Sequence, residues 1–325
     1  MTIESIRPRR LRGHAGLRRM LQETILTPTD FIYPLFIIPG SGLKKPIPSL
    51  TEQYHFSPDE AAAEAAALYT LGIPAVLLFG LPAAKDPIGS SGADPAGPVP
   101  SAVRAIKKAV PNLVVATDIC LCEYTDHGHC GLIKNGRVDN NATLPYLARQ
   151  ALVHAEAGAD LLAPSDMMDG RVRVIRTLLD QEGFDHLPIM AYSVKYASAF
   201  YDTFREAVAS TPAFGDRKSY QEDPTRRREA LIEVELDRAE GADIVMVKPA
   251  GPYLDIIRQI RDRFDLPLAA YQVSGEYTML TAAARAGLLD ERAAALESLI
   301  AIKRAGADII ITYLAPKVAQ WLRKG

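Results

Sequence analysis

One phrase recurs three times in this chain, and it restricts the fold more than any other feature of the sequence. Gly-Ala-Asp followed by an apolar run begins at Gly158, Gly241 and Gly306, each time after an Ala-, Glu- and Arg-rich stretch of helical character. Glycine is common just past a helix C-terminus, where a positive φ is needed. The apolar run is typical of a short strand buried on both faces. The phrase therefore predicts a helix, a glycine stop and a parallel strand.

Five further apolar runs match this strand pattern without the aspartate, which brings the predicted strands to eight. They cover residues 31–38, 75–79, 113–118, 187–192 and 266–273. Amphipathic stretches predicted to be helices cover residues 58–71, 101–110, 144–157, 171–181, 224–240, 253–264 and 290–304. This alternation predicts an α/β fold, a (β/α)8 TIM barrel. An open doubly wound sheet is the alternative, although the chain has no G-x-G-x-x-G or Walker-type motif.

Length and composition narrow the class of protein. The 325 residues suit one large barrel or about two domains, and 48% apolar with 23% charged residues is the usual mix of a soluble globular chain. A net charge of −2 gives no basic field for nucleic acid, and no apolar run reaches the ~18 residues of a membrane span. The N-terminus lacks the apolar region of a secretory signal. We therefore expect a cytoplasmic protein with no nucleic-acid or membrane partner.

We assign the barrel to residues 31–325. Two segments of the chain are not explained by a simple alternation of strands and helices. Residues 1–30 carry six arginines and are predicted to be an arm that packs on another subunit, with a solvated tail as the alternative. Residues 192–224 are far longer than an ordinary βα loop. Because such loops surround the active face of a barrel, the Gly-, Pro- and charge-rich part at 204–224 is predicted to be a mobile lid. A plain surface insertion is the alternative.

Three cysteines cluster directly after the third predicted strand. Cys120 and Cys122 are two residues apart, so an extended backbone points both the same way, and Cys130 follows a loop with two histidines. Thiolates and imidazoles are good zinc ligands. Three thiolates without an obvious fourth ligand favour a catalytic site with one open position, although His127 or His129 would close it.

Two lysines end neighbouring predicted strands. Lys195 ends the run Met-Ala-Tyr-Ser-Val-Lys, and Lys248 ends the run Val-Met-Val-Lys. Sequential strands of a barrel lie about 4.8 Å apart, so both lysines are expected at the active face. Each ammonium group lowers the pKa of the other, burial lowers it further, and a neutral amine is what Schiff-base chemistry requires. The pair predicts two carbonyl-capturing lysines in one pocket, with two exposed rim lysines as the alternative.

Polar side chains follow other predicted strands, and the lid carries arginines. Hydroxyl groups can hold a substrate carboxylate, and arginines can clamp a second one from the lid. An aspartate just before the cysteines is placed to act as a base or to orient a water. The residues of this set are Asp118, Ser165, Ser274, Tyr313, Arg205 and Arg217.

Six short motifs are spread over essentially the whole chain. They begin at Arg7 (Arg-Pro-Arg-Arg-Leu-Arg), Asp118 (Asp-Ile-Cys-Leu-Cys-Glu-Tyr-Thr), His127 (His-Gly-His-Cys-Gly), Ala163 (Ala-Pro-Ser-Asp-Met-Met-Asp-Gly-Arg), Met246 (Met-Val-Lys-Pro) and Tyr271 (Tyr-Gln-Val-Ser-Gly-Glu-Tyr). With them the chain resembles the 5-aminolevulinate dehydratases, also called porphobilinogen synthases. The resemblance implies a lyase that condenses two 5-aminolevulinate molecules to porphobilinogen with loss of two waters, an early step of tetrapyrrole biosynthesis.

The resemblance also implies a role for each candidate residue. Lys248 would form the Schiff base with the first substrate, and Lys195 would hold the second. Two carboxylate sites, a pocket wall and two assisting groups near the metal and the reacting amines complete the set. These are Ser274 and Tyr313 for the first carboxylate, Arg205, Arg217 and Gln221 for the second, Tyr192, Phe204 and Phe214 for the wall, and Asp118 and Ser165 for assistance.

Metals and an assembly are implied in the same way. Some members of the family lack the cysteine triad and its zinc, whereas Cys120, Cys122 and Cys130 here imply a catalytic zinc that polarises the second carbonyl or holds a hydroxide. Asp126 stands where many members have serine and adds negative charge near this loop. Glu233 matches a stimulatory magnesium site of many bacterial members, with a solvated helix glutamate as the alternative. The family's homo-octamers, in which the arm wraps a neighbour, imply the same assembly.

Two other functions are open from the residues alone. A metal-free Schiff-base aldolase on the same barrel needs one lysine and gives the three cysteines no role. A zinc-binding structural module needs four closed ligands and forms no lysine adduct. The two lysines and the long lid argue against the structural module, and zinc dependence separates the aldolase from the dehydratase.

Overall fold

Eight parallel strands form the centre of the computed structural model, which describes residues 6–323. In chain order the barrel strands are Phe31–Ile37, Ala75–Gly80, Val114–Ile119, Leu161–Pro164, Met190–Lys195, Ile244–Lys248, Leu268–Gln272 and Ile309–Thr312. Neighbours in the chain pair in the sheet, and the first strand pairs with the eighth. The ring closes between the fourth and fifth strands through one bridge, from Leu162 to Ile189. The (β/α)8 barrel is confirmed, and the open doubly wound sheet is wrong.

Helices surround the barrel. They are α1 (Ala15–Met20), α2 (Pro58–Thr70), α3 (Pro98–Ala109), α4 (Asn140–Glu156), α5 (Arg171–Gln181), α6 (Asp202–Ala207), α7 (Glu229–Ala239), α8 (Leu254–Arg263), α9 (Ser274–Arg285), α10 (Glu291–Ala305) and α11 (Ala315–Arg323). All seven predicted helices exist, but α1, α6, α9 and α11 were not predicted. The segment that forms α9 was interpreted only as polar groups after a strand, yet Glu276 accepts the Val273 N–H and so starts a helix. Among the described helices, none has the length and apolar character that a bilayer crossing requires.

Two short antiparallel pairs of strands lie outside the ring of eight barrel strands. Lys44–Pro46 pairs with Tyr54–Phe56, and the latter also runs parallel to the end of the first barrel strand. Ile133–Lys134 pairs with Arg137–Val138 after the cysteine loop.

The Gly-Ala-Asp phrase has one structure at all three sites. Its glycine ends a helix with a positive φ, which is 96° at Gly158, 104° at Gly241 and 127° at Gly306. The aspartate that follows makes two hydrogen bonds to a single residue at the start of the preceding strand. Asp243 donates its N–H to Ile189 O at 3.0 Å and accepts the Ile189 N–H on Oδ2 at 2.8 Å. The same two bonds join Asp160 to Val115 and Asp308 to Leu268. We name this arrangement the aspartate clamp.

The fifth and sixth strands do not keep one register. Ala191 pairs with Val245, whereas Lys195 pairs with Lys248, four residues further along one strand and three along the other. The fifth strand therefore carries one extra residue, a β-bulge, before its lysine. Bulges of this kind change the direction of a side chain next to a site.

The described part of the predicted arm, residues 6–30, is largely exposed. It contains a 3-10 turn at Pro8–Leu11 and α1, and neither has a buried residue. Several of its large apolar side chains face outward, namely Ile6, Leu11, Leu17, Met20, Leu21 and Ile25. Residues 1–5 of the predicted arm, and residues 324 and 325 of the predicted barrel, lie outside the described residues.

Candidate active site

Lys195 and Lys248 end the fifth and sixth strands inside one cavity. Each is only 4% exposed. At about 10 Å³ the cavity has room for about one water molecule, so its lining would have to rearrange before a larger molecule enters. Its lining residues are Phe79, Cys122, Glu123, Ser165, Lys195, Tyr201, Phe204, Arg205, Arg217 and Lys248.

Aromatic rings surround the Lys248 amine. Its Nζ lies 4.4 Å from the ring centre of Tyr271, 4.8 Å from that of Phe204 and 5.2 Å from that of Tyr192. Burial, and next the charge of Lys195, lower the pKa of Lys248 to about 7. The amine is therefore about half neutral at pH 7, as expected for a Schiff-base lysine.

The Lys195 amine has polar neighbours instead. It donates to the backbone oxygen of Ser165, whose hydroxyl donates to Asp118 Oδ2 at 3.1 Å. Burial alone would lower the pKa of Lys195, but the electrostatic effect of Cys130, Cys120 and Cys122 raises it above its ordinary value. The expectation that both amines have a lowered pKa is therefore wrong for Lys195, because the sulfur cluster outweighs the lysine neighbour.

Two buried carboxyl groups stand beside the lysines. Asp118 ends the third strand, and Glu123 follows Cys122 in the next loop. Burial first, and the Glu123 carboxylate second, raise the pKa of Asp118 well above its usual range. Burial and the Cys122 thiolate raise the pKa of Glu123 to about 8. Glu123 was given no role from the sequence, although its place directly after a cysteine was a signal.

The three cysteines form one buried cluster. Their sulfur atoms all lie within 4.8 Å of one another, and those of Cys120 and Cys122 are 3.4 Å apart. Thiolates on one tetrahedral ion with metal–sulfur bonds of ~2.3 Å would lie about 3.8 Å apart. The spacing thus fits a single metal ion.

The two histidines of this loop are bonded elsewhere. His129 donates from Nε2 to Phe214 O and accepts at Nδ1 from the Tyr220 hydroxyl, both at 3.0 Å. His127 donates from Nε2 to Pro87 O at 3.1 Å and accepts the His129 N–H at Nδ1. Among the described residues the cysteine cluster includes neither histidine, whereas carboxylate oxygens of Asp118 and Glu123 lie within 4.8 Å of the Cys120 sulfur.

Of the residues predicted in the segment 204–224, some line the cavity and others do not. Phe204 and Arg205 on α6 line the cavity, and Arg217 reaches it while donating to Gly128 O at 2.8 Å. Phe214 is 43% exposed and packs on His129 with ring centres 4.7 Å apart, outside the cavity lining. Gln221 is buried, but it lines a neighbouring cavity.

Ser274 and Tyr313, predicted for the first carboxylate, are not among the residues that line the cavity of the two lysines. Ser274 is buried and donates to Phe200 O at 3.4 Å. The Tyr313 hydroxyl lies 3.2 Å from that of Tyr271, whose ring faces Lys248. Tyr192 lies between the amines, because its ring centre is 5.5 Å from Lys195 Nζ and 5.2 Å from Lys248 Nζ.

Glu233 lies in the neighbouring cavity, of about 820 Å³, which also includes Glu222, Glu229 and Asp169. Burial raises the pKa of Glu233 to about 7 against the opposing charge of Arg171. Burial and Glu233 raise the pKa of Glu222 to about 8. Both carboxylate oxygens of Glu222 are buried without a hydrogen-bond partner among the described residues.

One buried ion pair between the two cavities was missed from the sequence. Arg171, 2% exposed, binds both carboxylate oxygens of Asp237 at 3.2 and 3.0 Å. It also donates to Tyr192 O at 3.1 Å, and its Nε lies 3.8 Å from Asp166. The pair thus holds the strand that carries Tyr192 and Lys195. Only the fold brings together partners 66 residues apart.

Known proteins are similar to this chain in sequence and in structure. A profile of the delta-aminolevulinic acid dehydratase family matches residues 5–321. The delta-aminolevulinic acid dehydratase of Synechococcus elongatus is 56% identical over 97% of this chain and 98% of its own, and that of Bacillus subtilis is 52% identical over 97% and 98%. The crystal structure of the Toxoplasma gondii enzyme with its product porphobilinogen superposes with a TM-score of 0.95 at 43% identity, covering 97% of this chain and 91% of that one. The chain therefore belongs to the delta-aminolevulinic acid dehydratase family.

Proposed function

We propose that this protein condenses two molecules of 5-aminolevulinate to porphobilinogen. One C–C and one C–N bond form, and the two ketone oxygens leave as two waters. The observation that carries the proposal is the direct pairing of Lys195 with Lys248 in a cavity that borders the cysteine cluster. Two ketones require two amines, and the chain supplies both at one end of the barrel.

The two amines take different substrates. Lys248, with its pKa near 7, attacks the carbonyl of the first molecule, whose carboxylate binds Ser274 and Tyr313. Lys195 holds the second molecule, whose carboxylate binds Arg205, Arg217 and Gln221 when the lid closes. Tyr192 and Phe204 exclude water from the amines. Phe214 would join the wall only after moving inward from its exposed position.

Asp118 and Ser165 assist the second amine. The backbone oxygen of Ser165 accepts a hydrogen bond from the Lys195 amine, and the Ser165 hydroxyl donates one to Asp118. The negative charge of the cysteine sulfurs raises the pKa of Lys195, so a cation held by these sulfurs would lower it. Asp118, beside the Ser165 hydroxyl and acting on Lys195 through its charge, would assist when Lys195 loses its proton.

Cys120, Cys122 and Cys130 would hold a zinc ion, because thiolates prefer zinc and the sulfur spacing fits it. When bound, zinc acts as a Lewis acid on the carbonyl of the second substrate. Three reduced thiols also suit a reducing cytoplasm.

Glu233 and Glu222 would hold a regulatory magnesium ion. Carboxylate oxygens suit this hard cation, and the unpartnered oxygens of Glu222 fit a missing positive charge. Gln221 of the lid lines the same cavity, so cation binding would order the lid from outside the active site.

The exposed apolar side chains of the arm would pack on another copy of this chain, in the homo-octamer implied by the resemblance. Exposed apolar surface of this kind is a mark of subunit contact.

The test is pyrrole formation from 5-aminolevulinate, measured with a colour reagent for porphobilinogen, with and without a zinc chelator. We expect product that disappears on chelation and returns with added zinc. Product that survives chelation, with no metal left on the protein, would contradict the zinc role. No product from folded, zinc-loaded protein would contradict the condensation and favour the aldolase.

A further inference from the structure

The short helix α6 carries two residues of the cavity wall, Phe204 and Arg205, and its C-terminal carbonyls bind side chains from distant parts of the chain. His55 donates from Nε2 to Ala207 O at 2.6 Å. Lys85 donates to Ala209 O at 2.6 Å and to the preceding carbonyl, of residue 208, at 3.4 Å. Two separate elements thus hold the end of one lid helix.

These bonds satisfy backbone carbonyls at the end of a helix. The last carbonyls of a helix have no partner within it, and cationic donors are favoured there. A helix of six residues is unstable on its own. Directly after α6, Ala209 has a φ of 48°, a conformation that L residues rarely adopt. The position of α6 therefore depends on donors outside the lid.

Neither donor lines the cavity. His55 lies on the strand Tyr54–Phe56, where it pairs with Phe36, and Lys85 lies in the loop after the second barrel strand. The Phe36 ring also packs against the rings of Phe204 and Tyr313, at 5.9 and 6.2 Å between centres. His55 thus links α6 to the packed wall of the active site.

We propose that His55 and Lys85 are positioning residues that hold α6 over the active site, so that Phe204 faces Lys248 and Arg205 is aimed at the carboxylate of the second substrate. Neither lines the cavity, although Lys85 lies near enough to Glu123 and Cys122 for their charges to act on it. The inference rests on the proposed condensation. It adds His55 and Lys85, which lie about 150 and about 120 positions along the chain from the carbonyls that they bind.

The experiment compares His55→Ala and Lys85→Ala with wild type in the full zinc-loaded protein. We expect each variant to raise the half-saturating 5-aminolevulinate concentration about tenfold, the loss of one strong hydrogen bond, with a smaller change in kcat. After borohydride treatment, mass mapping should find the Lys248 adduct retained and the Lys195 adduct reduced. Without substrate, limited proteolysis should cut faster within residues 208–218.

Conservative variants separate positioning from general damage. His55→Gln and Lys85→Arg keep a donor and should restore most of the apparent affinity and the resistance to proteolysis. Lys45→Ala and His186→Ala remove exposed side chains of the same types and should behave as wild type. Circular dichroism would verify that each variant is folded.

Two results would overturn the inference. One is wild-type affinity and lid proteolysis in both alanine variants. The other is a loss of kcat alone that the conservative variants do not restore. Failure of the condensation would appear separately, as absence of porphobilinogen from the wild-type protein, and the proteolysis arm would still report on α6.

Discussion

Lys195 and Lys248 are register partners on adjacent parallel strands, yet the pKa of one is raised and that of the other is lowered. Both amines are buried and each feels the other's charge. The difference comes from what lies on the far side of each amine: three sulfur atoms for Lys195 and a cage of aromatic rings for Lys248. One strand pair therefore presents a charged and a half-neutral amine to one cavity.

Attachment of 5-aminolevulinate to Lys248 should follow its neutral fraction. Because the pKa is lowered to about 7, borohydride trapping at Lys248 should rise with pH and reach half its maximum near pH 7. Lys195→Met removes a positive charge that lowers this pKa, so the midpoint should move to higher pH. Mass spectrometry of the trapped peptide over a pH series measures it, with Lys45→Met as the exposed control. A midpoint that stays or moves down would contradict the assignment.

Zinc retention should depend on the cysteines and not on the histidine next to them. Cys122→Ser removes one of three ligands, and we expect metal content after dialysis against a weak chelator to fall from about one ion per chain to near zero. His127→Gln keeps a hydrogen-bond acceptor for the His129 N–H and should retain zinc. Elemental analysis of both variants measures the zinc that each one retains. Loss of zinc from the His127 variant would instead support a closed four-ligand site.

The buried ion pair under Tyr192 should matter far more than an exposed pair. Arg171→Leu leaves Asp237 and Asp166 buried without their cation, which is expected to cost about 3–5 kcal/mol of unfolding free energy. Arg258→Ala breaks the exposed pair with Asp262 and should cost less than about 1 kcal/mol. Urea unfolding of the two variants provides the comparison. Equal losses would show that Arg171 does not support the strand as described.

Magnesium should stimulate activity through Glu233. Glu233→Ala should flatten the magnesium titration of activity, whereas Glu235→Ala, on the exposed side of the same helix, should not. Since the pKa values of Glu233 and Glu222 are raised to about 7 and about 8, magnesium should bind more tightly as the pH rises through this range and both groups ionise. Identical titration curves for wild type and Glu233→Ala would exclude the site.

Sequence reasoning predicted the parts of this protein whose signals are local. The apolar runs and the Gly-Ala-Asp phrases predicted the eight strands, and the positions of Lys195 and Lys248 at two strand ends predicted their proximity. The compact cysteine motif likewise predicted one cluster. Each of these signals is contained within a short stretch of chain, which periodicity and spacing can identify.

The interactions that the sequence did not predict join distant residues. The bonds of His55 to the lid and of Arg171 to Asp237 span too much chain for any spacing rule. Glu123 has a pKa of about 8 only because the fold buries it. Phe214 was placed in the pocket wall by resemblance, but it lies outside the cavity lining here because its backbone oxygen is bound by His129.

The positions of the two lysines at one end of the barrel also depend on where their strands begin to pair at the other end. The clamp between Asp243 and Ile189 fixes where the fifth and sixth strands begin to pair, and the bulge then adds one residue before Lys195. In a strand, one residue more or less reverses the face on which every later side chain lies. Deleting Ser193 would remove the bulge, yet Lys195 and Lys248 would then each lie three residues beyond the pair of Ala191 and Val245 and would stay register partners. The extra residue therefore sets the direction in which the Lys195 side chain leaves its strand, and not the identity of its partner on the next strand.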